Sequence, residues 1–288
     1  GHKRVHESAA VWTIYHAIDS ETANPFQAYQ ATRYIDTAIP HIPVTAHGLK
    51  ENGYATIATT NWLPYSWSVN NIAFAEVMHT ALSYFQAGRA EAGYKLLKSS
   101  VLDGMYLGDS PGNFGQISFY DAARGECYRD FGDPIGVASR VLIQGLFGIL
   151  PDALNQQIIL RPGFPDDWDK ASVSTPDISY RFTRKEDTDT YHITQRFQTP
   201  LHPVLQINAR KEKIRSVKVN GVPATWQSIE SAHGYPLLSI QAEGTSSTTI
   251  TIEWEGASLH TLAVQELVIA SNGNWLCKSF GSIHLPSI

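Results

Sequence analysis

The chain has 288 residues, with 22 Lys and Arg against 27 Asp and Glu, a formal net charge of −5 and no basic block, which excludes the positively charged surface that nucleic-acid binding needs. Hydrophobic residues make up 43% of the chain and charged residues 17%, which favours a folded protein over a disordered chain or a coiled coil. The longest apolar stretch, residues 141–150, contains Gln144 and two glycines and is shorter than the ~20 residues of a membrane-spanning helix. We therefore expect one large or two ordinary domains and no membrane span.

The ends of the chain and its two cysteines carry little further information. The chain begins Gly-His-Lys-Arg, with neither an initiator Met nor an apolar signal segment, and ends in a strand-like run from Ser282 to Ile288. We therefore expect a piece of a longer protein. Cys127 and Cys277 lie far apart in the sequence, so their spacing predicts no disulfide and no metal site.

Up to about residue 150 the periodicity of apolar residues is helical. Asn24-Pro25 is typical of an N-cap followed by Pro at the first helical position, and it predicts a helix that ends before Pro40. Asp133-Pro134 repeats the pattern, with Asp133 as the cap, and predicts a helix up to the Gly148 region. The other predicted helices are Glu7 to Ile18, Asn70 to Ala87 and Arg89 to Asp103.

The helix predicted from Asn70 to Ala87 is apolar on almost every side. Only a narrow polar stripe of Glu76, Thr80 and Ser83 remains, which indicates a helix packed between neighbours in an array of helical hairpins. Gly88 is typical of a helix C-cap. Long connections rich in glycine and aromatic residues lie at 40–69 and 104–132, and loops of this length in a compact helical domain are typically functional.

After Pro151 the period changes to two, which predicts a β-rich second half. Asn220-Gly221 is the strongest hairpin signal. Short strands at this spacing favour an antiparallel β-sandwich. We thus predict a multi-domain α and β protein, with an α/α-hairpin domain at residues 1–153 and a β-sandwich domain at 154–288. The predicted strands are Ile158 to Leu160, Ile178 to Phe182, Tyr191 to Phe197, Val204 to Ile207, Val217 to Val219, Leu237 to Ile240 and Thr248 to Trp254.

Two motifs at the change of period resemble a known superfamily. They are Gly-Leu-Phe-Gly-Ile-Leu-Pro-Asp-Ala-Leu at 145–154 and Ile-Ile-Leu-Arg-Pro-Gly-Phe-Pro-Asp-Asp-Trp at 158–168. After helical hairpins, this passage is similar to the C-terminal part of the six-hairpin (α/α)6-barrel glycosidases, such as the α-L-rhamnosidase and α-L-fucosidase groups. The resemblance covers about residues 60–185 and implies a partial (α/α)6 toroid, glycoside hydrolysis, a carbohydrate substrate and a periplasmic or extracellular location. The chain holds helices for only about half of six hairpins.

The connection before the last predicted helix concentrates candidate catalytic residues. Glycoside hydrolysis with inversion needs an acid and a base about 6.5 to 9.5 Å apart. Glucoamylase-like barrels carry the base in the loop before their final helix, which implies Glu126 as the base, with Asp130 as the competing candidate. The alternative is that both carboxylates simply form surface ion pairs with Arg124 and Arg129.

Aromatic and amide side chains in the loops are candidate sugar contacts, because aromatic faces stack on sugar rings while amides and hydroxyls bond the ring hydroxyls. We expect the loops before Asn70 and Asp133 to line one mouth, with Trp62 or Trp67 near Glu126. Rigid packing of the aromatics and a turn built on residues 110–113 are the structural alternatives. The candidate substrate contacts are Trp62, Tyr65, Trp67, Asn70, Asp109, Asn113, Tyr120 and Arg124.

The general acid is harder to place than the base. Glu7 and Glu51 are candidates, but the resemblance implies an acid on an earlier hairpin, upstream of Gly1, so we expect little or no hydrolysis by this chain alone. His6, His16 and Asp19 form a polar set without metal-ligand spacing. No phosphate-binding or dinucleotide motif is present, and the sequence predicts no metal and no cofactor.

Two other classes of function remain open. A polysaccharide lyase of the α/α-toroid and β-sandwich type would use Tyr65, His79, Tyr120 and Arg124. A non-catalytic carbohydrate-binding module would keep its function without Glu126 and Asp130. In the predicted sandwich, Trp226 and Tyr235 are interpreted as packing residues or as an accessory sugar site.

Overall fold

The computed structural model describes residues 8–45, 47–61, 71–107, 119–121, 126–128, 132–230, 233 and 235–259, with 119–121 and 126–128 described by their backbone. Helices dominate the described residues of the first half, and two of them continue as π-helical segments, Leu102–Leu107 and Val141–Leu146. A 3-10 turn follows at Ala153–Asn155. The α-helices are α1 (Val11–Asp19), α2 (Pro25–Ala38), α3 (Phe74–Gln86), α4 (Ala90–Val101) and α5 (Asp133–Arg140).

The sequence predicted the start of α2 correctly and misplaced the cap of α5 and the start of α1. Asn24 caps α2: its side chain accepts the backbone N–H of Gln27 at 2.9 Å, and the Gln27 side chain accepts the backbone N–H of Asn24 at 3.0 Å, a capping box that confirms the predicted start. The predicted cap Asp133 was wrong, since Gly132 is the N-cap residue of α5 and Asp133 lies in the first turn. The predicted start of α1 at Glu7 was also wrong, because α1 begins at Val11 after the extended residue Ala10.

The predicted start of α3 at Asn70 was wrong for a tertiary reason. Ile72 and Ala73 form a short strand, β3, that pairs with Phe119 and Tyr120 of another strand, so their backbone groups are committed to a sheet before the helix begins. The predicted end is confirmed: Gly88 has a φ of 74° and the backbone N–H of Arg89 donates to the carbonyl of Tyr84, as in a Schellman cap.

Helix α3 lies at the centre of the helical half and contacts α1, α2, α4 and α5. Most of its side chains are buried, including Thr80 and Ser83 of the predicted polar stripe, whose hydroxyls donate to backbone carbonyls one turn earlier. This confirms the predicted packing between neighbours. The buried residues of α3 are Phe74, Val77, Met78, Thr80, Ala81, Leu82, Ser83, Tyr84 and Phe85.

The long connections of the helical half contain short strands, which the sequence did not predict. Two of them pair as a small hairpin after α2, and three form a separate sheet around the start of α3. These strands are β1 (His41–Pro43), β2 (Ala55–Ile57), β3 (Ile72–Ala73), β4 (Phe119–Asp121) and β5 (Glu126–Tyr128).

The second half is rich in strands and fits a β-sandwich-like region. It contains a six-stranded sheet ordered β13-β12-β16-β10-β9-β8 and a five-stranded sheet ordered β14-β15-β11-β7-β6. The strands are β6 (Ile149–Asp152), β7 (Gln157–Leu160), β8 (Lys170–Ser174), β9 (Ile178–Lys185), β10 (Thr188–Gln195), β11 (His202–Asn208), β12 (Lys211–Val219), β13 (Val222–Pro223), β14 (Gln227–Ile229), β15 (Leu237–Gln241) and β16 (Ser247–Ser258).

The predicted strands are present, and their turns and faces follow from the sequence. Asn220 and Gly221 have φ angles of 51° and 81°, so that Val219 pairs with Val222 across a two-residue turn, which confirms the hairpin. Thr248, Ile250, Ile252 and Trp254 alternate inward along β16. Ile250, Ile252 and Trp254 share a core with residues of the other sheet, such as Ile158.

One pairing contradicts the purely antiparallel sandwich predicted from the sequence. Strands β7 and β11 run parallel, with Leu160 opposite Leu205. A parallel pair needs a long crossover, and here the chain passes through strands of the other sheet before it returns. Strand β6 belongs to the five-stranded sheet although it precedes the predicted domain boundary at 153/154. That division into domains stays a prediction.

The helical half and the β-rich half are joined by close backbone contacts around Gly148. The backbone N–H of Arg161 donates to the carbonyl of Gly148 at 2.8 Å, and that of Gly163 donates to the carbonyl of Leu146 at 3.0 Å. The ring of Phe85 from α3 fills the space over Gly145 and Gly163, where a Cβ would overlap it. The two sequence motifs at residues 145–154 and 158–168 therefore meet at this junction.

Among the described residues, no helix has the length and apolar character needed to cross a bilayer. Cys127 lies in β5, and Cys277 lies outside the described residues, so their predicted lack of a disulfide stays a prediction.

We predict that Gly148→Ala destabilises the chain by at least ~2 kcal/mol. Gly148 has a φ of 63°, and an added Cβ would overlap the carbonyl of Arg161, which is backbone and cannot swing away. Urea unfolding measures the effect. The control is Gly136→Ala in α5, where a Cβ meets nothing within 4 Å and the change is expected to be neutral or slightly stabilising; equal stability of the two variants would contradict the prediction.

Candidate functional site

A three-stranded sheet connects the two loops that the sequence singled out. In the order β3-β4-β5, Ile72 pairs with Tyr120, and Asp121 pairs with Glu126. Neighbouring strands lie ~4.8 Å apart, so the backbone of β5 is roughly 10 Å from that of β3. The strand that carries Glu126 therefore lies close to the start of α3.

Most of the predicted site residues fall outside the described part of the chain. Tyr120 and Glu126 are placed by their backbone in β4 and β5. Their roles, and the expected approach of Trp62 or Trp67 to Glu126, stay predictions. The site residues outside the described ranges are Trp62, Tyr65, Trp67, Asn70, Asp109, Asn113, Arg124 and Asp130.

Next to this sheet lies a group of titratable residues, which we call the Glu76 cluster: Tyr15 from α1, Glu76 and His79 from α3, and Asp133 from α5. The rings of Tyr15 and His79 are 4.7 Å apart between centroids. The charges of Glu76 and Asp133 both act on Tyr15. Three helices therefore contribute to the cluster, and Glu76 occupies the first turn of α3, directly after β3.

Glu76 is the most perturbed carboxyl group of the cluster. Its Oε2 atom is buried and has no hydrogen-bond partner among the described residues. Burial, and to a smaller degree the charge of Asp133, raises the pKa of Glu76 to about 7. The positive end of the α3 dipole acts in the opposite direction. A carboxyl group with this pKa is about half protonated at neutral pH, so a substantial fraction can act as a proton donor.

Tyr15 and His79 favour their neutral forms near neutral pH. Burial, followed by the charges of Glu76 and Asp133, raises the pKa of Tyr15 to about 12, so its phenol stays protonated. Burial, followed by the charge of Arg140, lowers the pKa of His79, so its imidazole is neutral. Glu76 is the cluster member whose pKa is raised to near 7.

An ion pair holds the helices of the cluster together. Asp19 at the end of α1 accepts hydrogen bonds from both Arg140 terminal nitrogens at 2.8 and 2.6 Å, and from Gln86 Nε2 at 2.9 Å. The hydrogen bonds from Arg140 are the main reason that the pKa of Asp19 is lowered. Asp19 thus links α1 to α3 and α5, and Arg140 supplies the positive charge near His79.

The environments of two carboxyl groups, Glu76 and Glu51, differ from those that the sequence predicts. Glu76 was assigned to a polar stripe, although a lone glutamate inside an almost wholly apolar helix is itself a signal of a buried carboxyl. Glu51, a candidate acid, accepts hydrogen bonds from Tyr54 and from Lys98, which lower its pKa. Glu51 is therefore ionised at neutral pH and unsuited to donate a proton. Glu7 lies outside the described residues.

The described residues contain no group of three or more His, Cys, Asp or Glu side chains that could hold a metal ion. The raised pKa of Glu76 suits this residue to proton transfer, with Glu76 as donor.

Comparison with solved structures gives distant likenesses. No protein-family model matches the chain, and no curated protein matches it. An α-L-rhamnosidase from Dictyoglumus thermophilum superposes on 63% of this chain and 21% of its own, at 13% identity and a TM-score of 0.43. A Streptomyces avermitilis α-L-rhamnosidase complexed with L-rhamnose covers 62% and 18%, at 14% identity and a TM-score of 0.38. A glycoside hydrolase covers 76% and 39%, at 12% identity and a TM-score of 0.33.

The chain thus spans about a fifth of the length of the two rhamnosidases. Superpositions at TM-scores below 0.5 establish neither the fold nor the family of this chain. The function must be inferred from the residues of the chain and their geometry.

We predict that Glu76→Gln makes the chain more stable than wild type at alkaline pH, by ~1–2 kcal/mol. The pKa of Glu76 is higher in the folded chain, about 7 against 4.5, so the folded state loses stability as the pH rises from 4.5 through 7. The glutamine cannot ionise, and it removes this loss. Urea unfolding at several pH values measures the difference, and a parallel dependence in both proteins would refute it.

We predict that Asp19→Asn costs ~1–2 kcal/mol at neutral pH, since Asp19 and Arg140 are partly exposed. The pKa of Asp19 is lowered from 3.8, so its stabilisation is present above that pH and is lost as the pH falls through the folded-state pKa. The difference from wild type should shrink in acid. The control is Asp177→Asn at an exposed position, with thermal unfolding as the measurement.

Proposed function

We propose that this chain belongs to a glycoside hydrolase and contributes part of its catalytic domain. The observation that carries the proposal is Glu76, a half-buried carboxyl group with a pKa of about 7 at the start of the helix that follows β3, two strands away from the strand of Glu126. Glycoside hydrolysis uses two carboxyl groups in different protonation states, one to protonate the leaving oxygen and one to activate water.

In this proposal Glu76 is the proton donor and Glu126 the general base, with Asp130 as the competing base. The roughly 10 Å between the backbones of β3 and β5 is compatible with the 6.5 to 9.5 Å between the carboxyl groups of inverting enzymes. The sequence alone placed the acid upstream of Gly1, and Glu76 supplies a donor within the chain. Substrate contacts remain assigned to the aromatic and amide residues of the two loops.

The architecture that goes with this function is a partial (α/α)6 toroid at residues 1–153 followed by a β-sandwich at 154–288. The central, buried α3 supports it, because helices of a toroid pack on both sides against other hairpins. With a carbohydrate polymer or oligomer as substrate, we place the protein in the periplasm or outside the cell. This location follows from the resemblance of the two motifs at 145–154 and 158–168.

One observation favours a second candidate, a polysaccharide lyase. His79 is neutral near pH 7 and its ring lies against Tyr15, and lyases of the toroid and sandwich type remove a proton with His or Tyr side chains. The products separate the two functions. A lyase leaves an unsaturated uronide that absorbs ultraviolet light, whereas a hydrolase leaves a new reducing end without that absorbance.

We predict that Glu76→Gln and Glu126→Gln, each made in the full-length protein, lower turnover by ~10² to 10⁴ while substrate binding is retained. Both variants keep the shape of the side chain and remove proton exchange. In the wild type, turnover should fall as the pH rises above about 7, because Glu76 loses its proton. Reducing-end release from a panel of oligosaccharides, with binding by calorimetry, provides the measurement.

The matched control is Glu243→Gln, whose side chain is 92% exposed at the edge of the β-rich half and should keep wild-type turnover. If Glu126→Gln is active while Asp130→Asn is inactive, the base role passes to Asp130. Full activity in Glu76→Gln and in both base variants would leave the proposed hydrolase site without support.

A further inference from the structure

A cavity of about 140 Å³ lies between the C-terminal end of α3 and the five-stranded sheet. It is well above the ~10–15 Å³ that a single water needs, and it has room for one small ligand. Both halves of the chain contribute walls, from Pro25, Gln86 and Gly88 on one side to Arg161, Gln206 and Asn208 on the other.

The cavity lies far from the Glu76 cluster along the same helix. Gln86 lines the cavity, and Glu76 lies ten positions earlier in α3. At 1.5 Å per residue this separation is roughly 15 Å. A ligand in the cavity therefore occupies a different place from a substrate at Glu76, and its binding does not depend on the proposed hydrolase activity.

The position of Arg161 in this cavity is fixed by the fold. Its backbone N–H donates to the carbonyl of Gly148, and Pro162 follows it. The parallel pairing of β7 with β11 sets Leu160 opposite Leu205, so the next residues, Arg161 and Gln206, lie side by side. Both Nε and Nη2 of Arg161 donate to Gln206 Oε1, at 2.9 and 2.6 Å.

This arrangement leaves one edge of the guanidinium available. Nη1 of Arg161 has no hydrogen-bond partner among the described residues, and Nη2 has a second hydrogen beyond the one that Gln206 accepts. The two terminal nitrogens form the fork that binds a carboxylate through two parallel hydrogen bonds. Gln206 thus orients the guanidinium of Arg161, and because its amide is neutral it leaves the positive charge in place.

The charge of Arg161 is not neutralised by a close partner in the described part of the chain. Glu21 acts on it electrostatically, but the ion pairs found among the described residues do not include Arg161. A cation that lines a cavity without an ion pair favours an anionic ligand.

The remaining walls suit the body of a sugar. The side-chain amides of Gln206 and Asn208 provide donors and acceptors for hydroxyl groups. Apolar surface comes from Pro25, Ile229 and the ring of Tyr235, against which the C–H face of a sugar can pack. A few convergent polar groups in a partly apolar cleft are typical of small-molecule sites.

We propose that this cavity binds a monosaccharide unit that carries a carboxylate, such as a hexuronate, with the carboxylate on the free edge of Arg161 and the hydroxyl groups on Gln206 and Asn208. The site is an accessory one and supplies no catalytic group. It takes a single acidic sugar or the acidic end of a longer glycan.

The test measures binding of sodium D-glucuronate, D-glucose and sodium acetate to the full chain, by chemical-shift perturbation and thermal shift. The wild type should bind glucuronate, and both controls should bind at least ~10-fold more weakly. Arg161→Gln should weaken glucuronate binding at least ~10-fold. The matched control, Arg181→Gln at an exposed position on β9, should leave the affinity unchanged.

A second variant covers the case in which Arg161→Gln does not fold. Gln206→Glu sets a carboxylate against the same guanidinium nitrogens, so it retains the contact with Arg161 and cancels the charge offered to the ligand. It should lose glucuronate binding while the chain stays folded. The proposal is overturned if the wild type does not bind glucuronate, if glucose or acetate binds as tightly, or if the folded variants bind glucuronate like the wild type.

Discussion

The burial of α3 on all sides is the constraint on which the rest of this structure depends. Four other helices pack around it, and its last turn carries Phe85, whose ring occupies the space over Gly145 and Gly163 at the junction with the β-rich half. The helix is thus both the core of one half and the contact to the other. A larger residue at either glycine would displace the ring and separate surfaces that are held together by close packing.

The same burial gives the helix its chemistry. A glutamate in the first turn of an exposed helix would be ionised and stabilised by the helix dipole. Glu76 instead lies on the part of α3 that is near α1 and α5. There the loss of hydration outweighs the helix dipole and raises the pKa of Glu76 to about 7. The Asp19–Arg140 ion pair holds α1 and α5 together and so contributes indirectly to the pKa of Glu76. Packing and proton donation are therefore coupled, and changes that loosen α3 should also lower the pKa of Glu76.

The two ends of α3 serve different places in the chain. Its start adjoins the sheet that carries Glu126, where we propose hydrolysis. Its end adjoins the cavity of Arg161, where we propose an accessory site for an acidic sugar. If both proposals hold, a single helix spans the distance between a catalytic site and a binding site, and a glycan with an acidic residue could reach both. The length of α3 sets that distance, and the hydrogen bond between Gly148 and Arg161 holds the Arg161 backbone at the junction.

The sequence by itself determined the features that depend on local physics. Each of these features needs only a residue's own backbone preference or a repeat of two or 3.6 residues, so it can be predicted from the sequence. They are the Asn24 cap, the end of α3 at Gly88, the Asn220-Gly221 turn and the alternation along β16. The later start of α3 could not be predicted from the sequence, since Ile72 and Ala73 pair with a strand almost fifty positions away. The parallel pairing of β7 with β11 and the cavity of Arg161 likewise require residues distant in sequence. The pKa of Glu76 was beyond the sequence for the same reason: desolvation is a property of the neighbours that surround a group, and only the tertiary structure decides which neighbours these are.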